Sequence, residues 1–127
     1  MKVVALDFGS ARTGVAVSDE TGTLARPVGI VERAATTAGL DRLVELVAEH
    51  DAELVLVGLP LTLRGERGQQ ARETEAFVDS LRARLTIPVE TYDERFTTTL
   101  AQQSGGRAPE DAVAAAHLLQ GWLERPR

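Results

Sequence analysis

Short apolar runs alternate along the chain with longer stretches of helical periodicity. Five stretches have the length and composition of β-strands: residues 3–6, 15–17, 23–32, 53–58 and 88–94. The first and the fourth are continuous and rich in β-branched residues, which is typical of strands covered on both faces. Gly9 and Gly14 bracket a tight return between the first two strands, so the pattern predicts a hairpin. Pro27 places the third strand at an edge of the sheet.

Three stretches repeat apolar side chains at the 3.6-residue period of an amphipathic helix. The first follows Thr36 and Thr37, which can cap it, and ends near His50. The second, residues 69–85, is the longest, and the last begins at residues 108–111 with a proline and two acids in its first turn. The last helix carries a stripe of small and apolar side chains that allows close approach to a sheet: Ala112, Ala115, Ala116, Leu119 and Leu123. The pattern predicts an α/β fold in which three antiparallel strands meet a parallel strand through a right-handed crossover.

Composition narrows the class of protein. The 127 residues, 43% of them hydrophobic and 26% charged, are typical of one globular domain. No apolar run approaches the roughly 20 residues that span a bilayer, and no signal segment precedes the first strand, so we expect a cytoplasmic protein with no membrane partner. The absence of cysteine and the isolation of His50 and His117 mean that any metal would be held by oxygen ligands. The net charge of −5 argues against a protein that coats nucleic acid broadly.

Acidic residues stand where two of the predicted strands end. Asp7 follows the first apolar run, and an aspartate buried there requires a metal, a cation or a cap as partner. Asp93 and Glu94 end the fifth strand in the same way. Asp111 lies in the first turn of the last helix, where the helix dipole favours an acid. Asp7 and Asp111 also have structural interpretations, as a cap on the Gly9 turn and as a helix cap.

Arginines are distributed over the loops that we expect to surround these acids. Arg12, Arg64, Arg67 and Arg95 are candidates for contacts with backbone phosphates, although loop arginines are often simply solvated. Few aromatic side chains are available to stack on bases, which favours recognition of nucleic acid by shape.

A short helix is expected after the fifth strand. Thr97 and Thr98 can cap it, or they can contact a substrate directly, and the glycines at 105–106 end it.

Four motifs, in this order, resemble the YqgF proteins, also called RuvX, a family within the RNase H-like superfamily. They span almost the whole chain: DFGSARTGVA at residues 7–16, GLPL at 58–61, DERFTT at 93–98 and DAVAAA at 111–116. The resemblance implies a mixed five-stranded RNase H-like sheet, with three antiparallel strands followed by two parallel ones and helices on both faces.

The resemblance also implies a catalytic site. It assigns divalent metal, Mg²⁺ or Mn²⁺, to Asp7, an acid of the Asp93–Glu94 pair and Asp111, and we favour Glu94 over Asp93 in the pair. Magnesium prefers oxygen ligands and leaves positions open for water and phosphate. Two such ions can activate water and stabilise the leaving oxygen of a phosphodiester.

The activity implied is hydrolysis of phosphodiester bonds in structured nucleic acid. The family's substrates are described as precursor 16S ribosomal RNA or branched DNA junctions, and the motifs do not choose between them. A symmetric junction would call for a homodimer that presents two sites, whereas RNA end trimming would not. The alternatives are a non-catalytic nucleic-acid-binding factor in ribosome maturation and an actin-like phosphate-binding module.

One segment departs from the family pattern. Residues 99–110 are short compared with relatives, and Arg107 is their only cation.

Overall fold

The computed structural model describes residues 1–60, 64–65, 68–94 and 110–125. Its strands, in chain order, are β1 (Val3–Asp7), β2 (Arg12–Ser18), β3 (Ala25–Glu32), β4 (Leu54–Leu59) and β5 (Val89–Asp93). Its helices are α1 (Thr37–Glu49), α2 (Gln69–Arg82) and α3 (Glu110–Glu124). All five strands and three of the helices predicted from the sequence are present. The short helix expected after Thr97 and Thr98 lies outside the described residues.

The strands form one sheet in the order β3-β2-β1-β4-β5. Strand β2 runs antiparallel to β1 and to β3, whereas β4 is parallel to β1 and to β5. The predicted arrangement of three antiparallel strands followed by two parallel ones is therefore confirmed. Strand β3 is an edge strand, as Pro27 indicated, and a register shift opposite Val15 and Ala16 interrupts its pairing. Because a bulge blunts the pairing capacity of an edge strand, this side of the sheet is protected from further strand addition.

Gly14 corrects the predicted hairpin. The sequence placed this glycine in the turn, but the structure places it inside β2, directly opposite Asp7 on β1. Strand β2 thus begins at Arg12 rather than at Val15, and only residues 8–11 form the connection. A glycine inside a strand weakens the strand, and it is typically found where another backbone segment comes close. At Gly14 that segment is the backbone of α3 at Asp111.

Helices cover both faces of the sheet, as predicted. One face packs against α1 and α2 through apolar side chains that include Val4, Leu6, Leu43, Phe77 and Leu81. The other face packs against α3, the one described helix on that side, through Val3, Ala5, Leu56, Ala115 and Leu119. Successive β1 side chains alternate between these two cores, so Asp7 follows Val3 and Ala5 on the α3 face. The side-chain period of β1 therefore directs the candidate acid toward α3.

Local sequence signals account for the ends of the helices. The Thr36 hydroxyl accepts a hydrogen bond from the Gly39 amide and caps α1, as predicted. Arg82, at the end of α2, donates to the Val89 carbonyl at 2.7 Å and connects this helix to the start of β5. No helix within the described ranges is long and apolar enough to cross a membrane.

Candidate functional site

Two carboxyl groups meet at the carboxyl edge of the sheet. Asp7 ends β1, and Glu94 follows β5 immediately, two strands away in the sheet. The two side chains share a hydrogen bond. One of the two groups must be protonated to donate that bond, because two carboxylates can only accept. The structure therefore brings together two of the three acids predicted from the sequence.

Burial and mutual repulsion shift the titration of this pair. Burial raises the pKa of Glu94 to about 8, and the hydrogen bond with Asp7 and the negative charges of Asp7 and Asp93 act in the same direction. Burial also raises the pKa of Asp7, partly opposed by the hydrogen bond from Glu94 and reinforced by repulsion from Asp111. The pKa values of both groups are therefore raised by their shared burial, and the two groups titrate as a coupled pair.

Asp111 approaches the pair from α3. It lies in the first turn of the helix, as predicted, and its charge acts on the pKa of Asp7. Its carboxylate Oδ2 is 3.4 Å from Nε of Arg12, in an ion pair whose side chains are 62% (Arg12) and 38% (Asp111) exposed. No group of three acids or histidines in the described segments is close enough to enclose a metal ion. Asp7 and Glu94 are therefore in contact, whereas Asp111 acts on Asp7 through its charge and forms its ion pair with Arg12.

Two glycines create the space for this convergence. A Cβ at Gly14 would lie 1.8 Å from the main-chain oxygen of Asp111, so α3 can sit against β2 only because Gly14 has no side chain. A Cβ at Gly58 would lie 2.6 Å from Oε1 of Glu94. Gly14 pairs with Asp7 in the register, and Gly58 follows the Leu6–Val57 pair on the other side of β1. Each strand beside β1 thus leaves room for one of the other acids.

Asp7 and Glu94 line two separate clefts. The cleft on the α3 side has a volume of about 230 Å³ and is completed by Ala114 and Leu118. The cleft on the other side has a volume of about 250 Å³ and lies between the β1–β2 connection and the first turns of α2. We call the latter the α2-side cleft; it is lined by Asp7, Phe8, Gly9, Ser10, Pro60, Gln70, Glu73, Thr74 and Glu94.

The remaining predicted site residues divide into three groups. Arg12 lies beside the acids through its ion pair with Asp111. Arg64 is exposed and does not contribute to the described lining of either cleft. The other four lie outside the described residues: Arg67, Arg95, Thr97 and Thr98.

A comparison with models of protein families shows which family this chain belongs to. The model of the family "RuvX: Holliday junction resolvase" matches residues 1–125. This chain belongs to the RuvX family. The resemblance seen in the four sequence motifs is thereby confirmed.

Curated RuvX relatives match over nearly their full length. A protein of Chloroflexus aurantiacus named "Putative pre-16S rRNA nuclease" is 39% identical over 134 residues, covering 98% of this chain and 88% of the relative. A protein of the same name from Desulforudis audaxviator is 43% identical over 132 residues, covering 97% and 94%.

Solved structures show the fold of this RuvX-family chain. Thermus thermophilus RuvC, in complex with a Holliday junction substrate, aligns with a TM-score of 0.67 at 16% identity over 95% of this chain and 91% of that one. The fowlpox virus resolvase, also in complex with Holliday junction DNA, aligns with a TM-score of 0.60 at 11% identity, covering 98% and 97%. The predicted RNase H-like fold is therefore confirmed as a RuvC-like sheet.

Sequence reasoning missed several residues that shape the site. Gly58 was predicted only as the end of the fourth strand and the start of the loop that follows, and Gln70 and Glu73 were predicted only as parts of a helix. Gly14 stands just before the apolar run 15–17, where a glycine suits a turn as well as the close approach of another backbone. Gln70 and Glu73 carried no signal, since their place beside Asp7 depends on how α2 packs on the sheet.

Proposed function

We propose that this chain is a cytoplasmic, divalent-metal-dependent nuclease with a single RNase H-like domain over residues 1–127. Its substrate is structured nucleic acid, and its reaction is hydrolysis of a phosphodiester bond. The observation that carries the proposal is the hydrogen-bonded Asp7–Glu94 pair, which a third acid, Asp111, approaches at the carboxyl edge of a RuvC-like sheet. Edges of this kind, where parallel strands end, commonly carry the ligand site of α/β folds.

The donor set fits a hard divalent cation such as Mg²⁺ or Mn²⁺. All the candidate ligands are carboxylate oxygens, and the pKa of Glu94 is raised by burial first, and then by its hydrogen bond to Asp7 and by repulsion from Asp7 and Asp93. A bound cation would favour the ionised form of Glu94 and would compete with its proton. Asp7, Glu94 and Asp111 would hold the metal, which would supply an activated water and neutralise the leaving oxygen.

The side chains have distinct tasks in this proposal. Glu94 would lose its proton to solvent on binding a cation, so that both it and Asp7 could act as ligands. Asp111 would have to give up its ion pair with Arg12 to join them. The Arg12 guanidinium, 62% exposed and beside the acids, then becomes available to a backbone phosphate.

Precursor 16S ribosomal RNA is the substrate that we propose. Support comes from relatives at 39% and 43% identity that carry the name of a pre-16S rRNA nuclease. The description of the family as Holliday junction resolvases favours branched DNA as a second candidate. A homodimer with two sites would be expected only for the junction substrate.

Cleavage of two labelled substrates tests the proposal. A precursor ribosomal RNA fragment and a four-way DNA junction are incubated with the protein and Mg²⁺, Mn²⁺ or EDTA, with the Asp7→Asn variant in parallel. We expect cleavage of the RNA that requires metal and Asp7. Cleavage of the junction instead would support the second candidate.

A third result would reject the nuclease. If neither substrate is cut while binding of nucleic acid persists, the chain is a non-catalytic binding factor in ribosome maturation. Cleavage that survives in EDTA or in Asp7→Asn would reject the metal mechanism.

A further inference from the structure

The α2-side cleft shares its wall with the proposed catalytic acids. Asp7 and Glu94 line it together with residues from the β1–β2 connection and from α2. A phosphate bound at the acids would therefore have its directly attached group at the mouth of this cleft. In a nucleic acid that group is a sugar, and the base is attached to the far side of that sugar.

The described side chains of the lining suit a neutral group better than a second phosphate. Besides the two acids, the polar side chains are the Ser10 hydroxyl, the Gln70 amide, the Glu73 carboxylate and the buried hydroxyl of Thr74. No arginine or lysine is present in the described part of the lining. Glu73 would repel a phosphate in this part of the cleft, whereas a neutral hydroxyl would find hydrogen-bond partners there.

Glu73 and Gln70 are the groups available to such a hydroxyl. Both side chains are exposed in the first turns of α2. The Thr74 hydroxyl donates to the main-chain carbonyl of Gln70 at 2.8 Å, so it does not occupy the Gln70 side chain. Glu73 accepts a hydrogen bond from the Gln69 amide at 3.2 Å, which leaves its other acceptor positions open to a ligand. Glu73 thus offers acceptors to a ligand, and the Gln70 amide offers both a donor and an acceptor.

The size and the wall of the cleft suit one sugar. Its volume of about 250 Å³ is below the roughly 300 to 1,000 Å³ of clefts that hold drug-sized ligands. Phe8 forms part of the wall, and its ring is held by stacking on Phe77, with the ring centroids 4.3 Å apart. A rigid apolar wall opposite hydrogen-bond acceptors matches a ribose, which has a carbon face and a hydroxyl edge.

We propose that the α2-side cleft binds the ribose adjacent to the scissile phosphate, and that Glu73, assisted by Gln70, accepts a hydrogen bond from its 2′-hydroxyl. This inference rests on the proposed nuclease function and makes RNA the preferred substrate. The 2′-hydroxyl is the group by which a protein distinguishes RNA from DNA at a single position. Glu73 is then a residue that determines specificity.

Binding without metal provides the first test. Fluorescence anisotropy in EDTA compares RNA and DNA of identical sequence, using the wild type, Glu73→Ala, Glu73→Gln and the control Asp79→Asn. Asp79 lies on the same helix, is 78% exposed and pairs only weakly, at 3.8 Å, with Arg82. We expect the wild type and the control to prefer RNA by about tenfold, Glu73→Gln to retain part of the preference and Glu73→Ala to lose it.

Cleavage provides the second test. Precursor RNA with a single 2′-deoxy or 2′-fluoro nucleotide is assayed at each position around the cut. We expect one position at which both replacements slow the wild type about tenfold and leave the rate of Glu73→Ala unchanged. Fluorine cannot donate a hydrogen bond, so a normal rate with 2′-fluoro would overturn the proposal. An RNA preference in Glu73→Ala equal to that of the wild type would also overturn it.

The two tests separate this inference from the proposed function. Loss of RNA preference in Glu73→Ala, without cleavage by any variant, would support the ribose subsite and reject the nuclease. Metal-dependent cleavage that is insensitive to every 2′ replacement would retain the nuclease and reject the subsite.

Discussion

Two aspartates at opposite ends of the sheet have opposite electrostatic environments. Asp19 follows β2 and accepts hydrogen bonds from the Thr23 amide at 2.8 Å and the Leu24 amide at 3.2 Å. The bond from the Thr23 backbone is the main cause that lowers the pKa of Asp19. Asp7 ends β1 at the other edge, where burial raises its pKa. The charge of Asp19 is thus stabilised by backbone amides of its own turn, whereas the charge of Asp7 is destabilised by burial and would be stabilised by a cation.

The clefts at the two ends show the same difference. The end that carries Asp19 has the larger cleft, about 580 Å³, lined in part by Lys2, Ser18 and His50. Like Asp19, Ser18 in this cleft is paired within the chain: its Oγ accepts from the Val3 amide at 2.8 Å and donates to the Met1 carbonyl at 3.4 Å. The smaller clefts at the Asp7 end contain the acids whose pKa is raised. Unsatisfied charge therefore indicates the site better than volume does.

Substitution of the two aspartates tests this contrast most directly. Asp7→Asn should lower the rate of metal-dependent cleavage by about a thousandfold, which corresponds to about 4 kcal/mol of transition-state stabilisation. The same variant should be at least as stable as the wild type without metal, since it removes a buried charge. Asp19→Asn should leave cleavage unchanged and lower the midpoint of thermal unfolding. Equal cleavage by both variants would remove the distinction between the two ends.

Substitution of Gly14 should disrupt the catalytic end of the sheet itself. In Gly14→Ala the new Cβ would lie 1.8 Å from a backbone oxygen, so α3 would have to move away from β2. We expect a loss of about 3 kcal/mol in the free energy of unfolding, measured by urea denaturation, and loss of cleavage. Gly29→Ala is the matched control, because a Cβ at Gly29 meets nothing within 4 Å. Similar stability of the two variants would contradict this role of Gly14.

The raised pKa of Glu94 predicts how stability depends on pH without metal. Between its ordinary value of 4.5 and its value of about 8 in the folded protein, Glu94 keeps a proton that the unfolded chain releases. The free energy of unfolding should therefore fall as pH rises through this interval, by about 1 to 2 kcal/mol after allowance for solvent screening. Urea denaturation in EDTA at several pH values measures the slope. Glu94→Gln should flatten it, and an unchanged slope would assign the effect to another group.

The smallest expected effect comes from two arginines, one at each end. Arg12→Ala removes an exposed ion pair, so the free energy of unfolding should fall by less than about 1 kcal/mol. It should also weaken binding of nucleic acid and reduce the slope of log affinity against log salt by about 1. Arg26→Ala, beside the larger cleft at the other end, serves as control and should change neither quantity. An Arg12→Ala slope equal to that of the control would exclude a phosphate contact at Arg12.

Much of the fold could be predicted from local sequence patterns. The apolar runs predicted the five strands, Pro27 predicted an edge strand, and Thr36 predicted the start of α1. These features depend on neighbouring residues and on the periodicity of side chains, which are visible in a linear chain. Gly14 was placed wrongly because a glycine in a turn and a glycine under a crossing helix look alike in sequence.

The sequence by itself determined that Asp7, Glu94 and Asp111 stand at the ends of elements, where acids need partners. Only the tertiary structure decided which partners these are: Glu94 for Asp7, and Arg12 for Asp111. Asp111 lies against Gly14 of β2, almost 100 residues earlier in the sequence, because a glycine at this position leaves space for the Asp111 backbone. Contacts between such distant residues, and the burial that raises the pKa values of Asp7 and Glu94, arise only when the helices pack on the sheet.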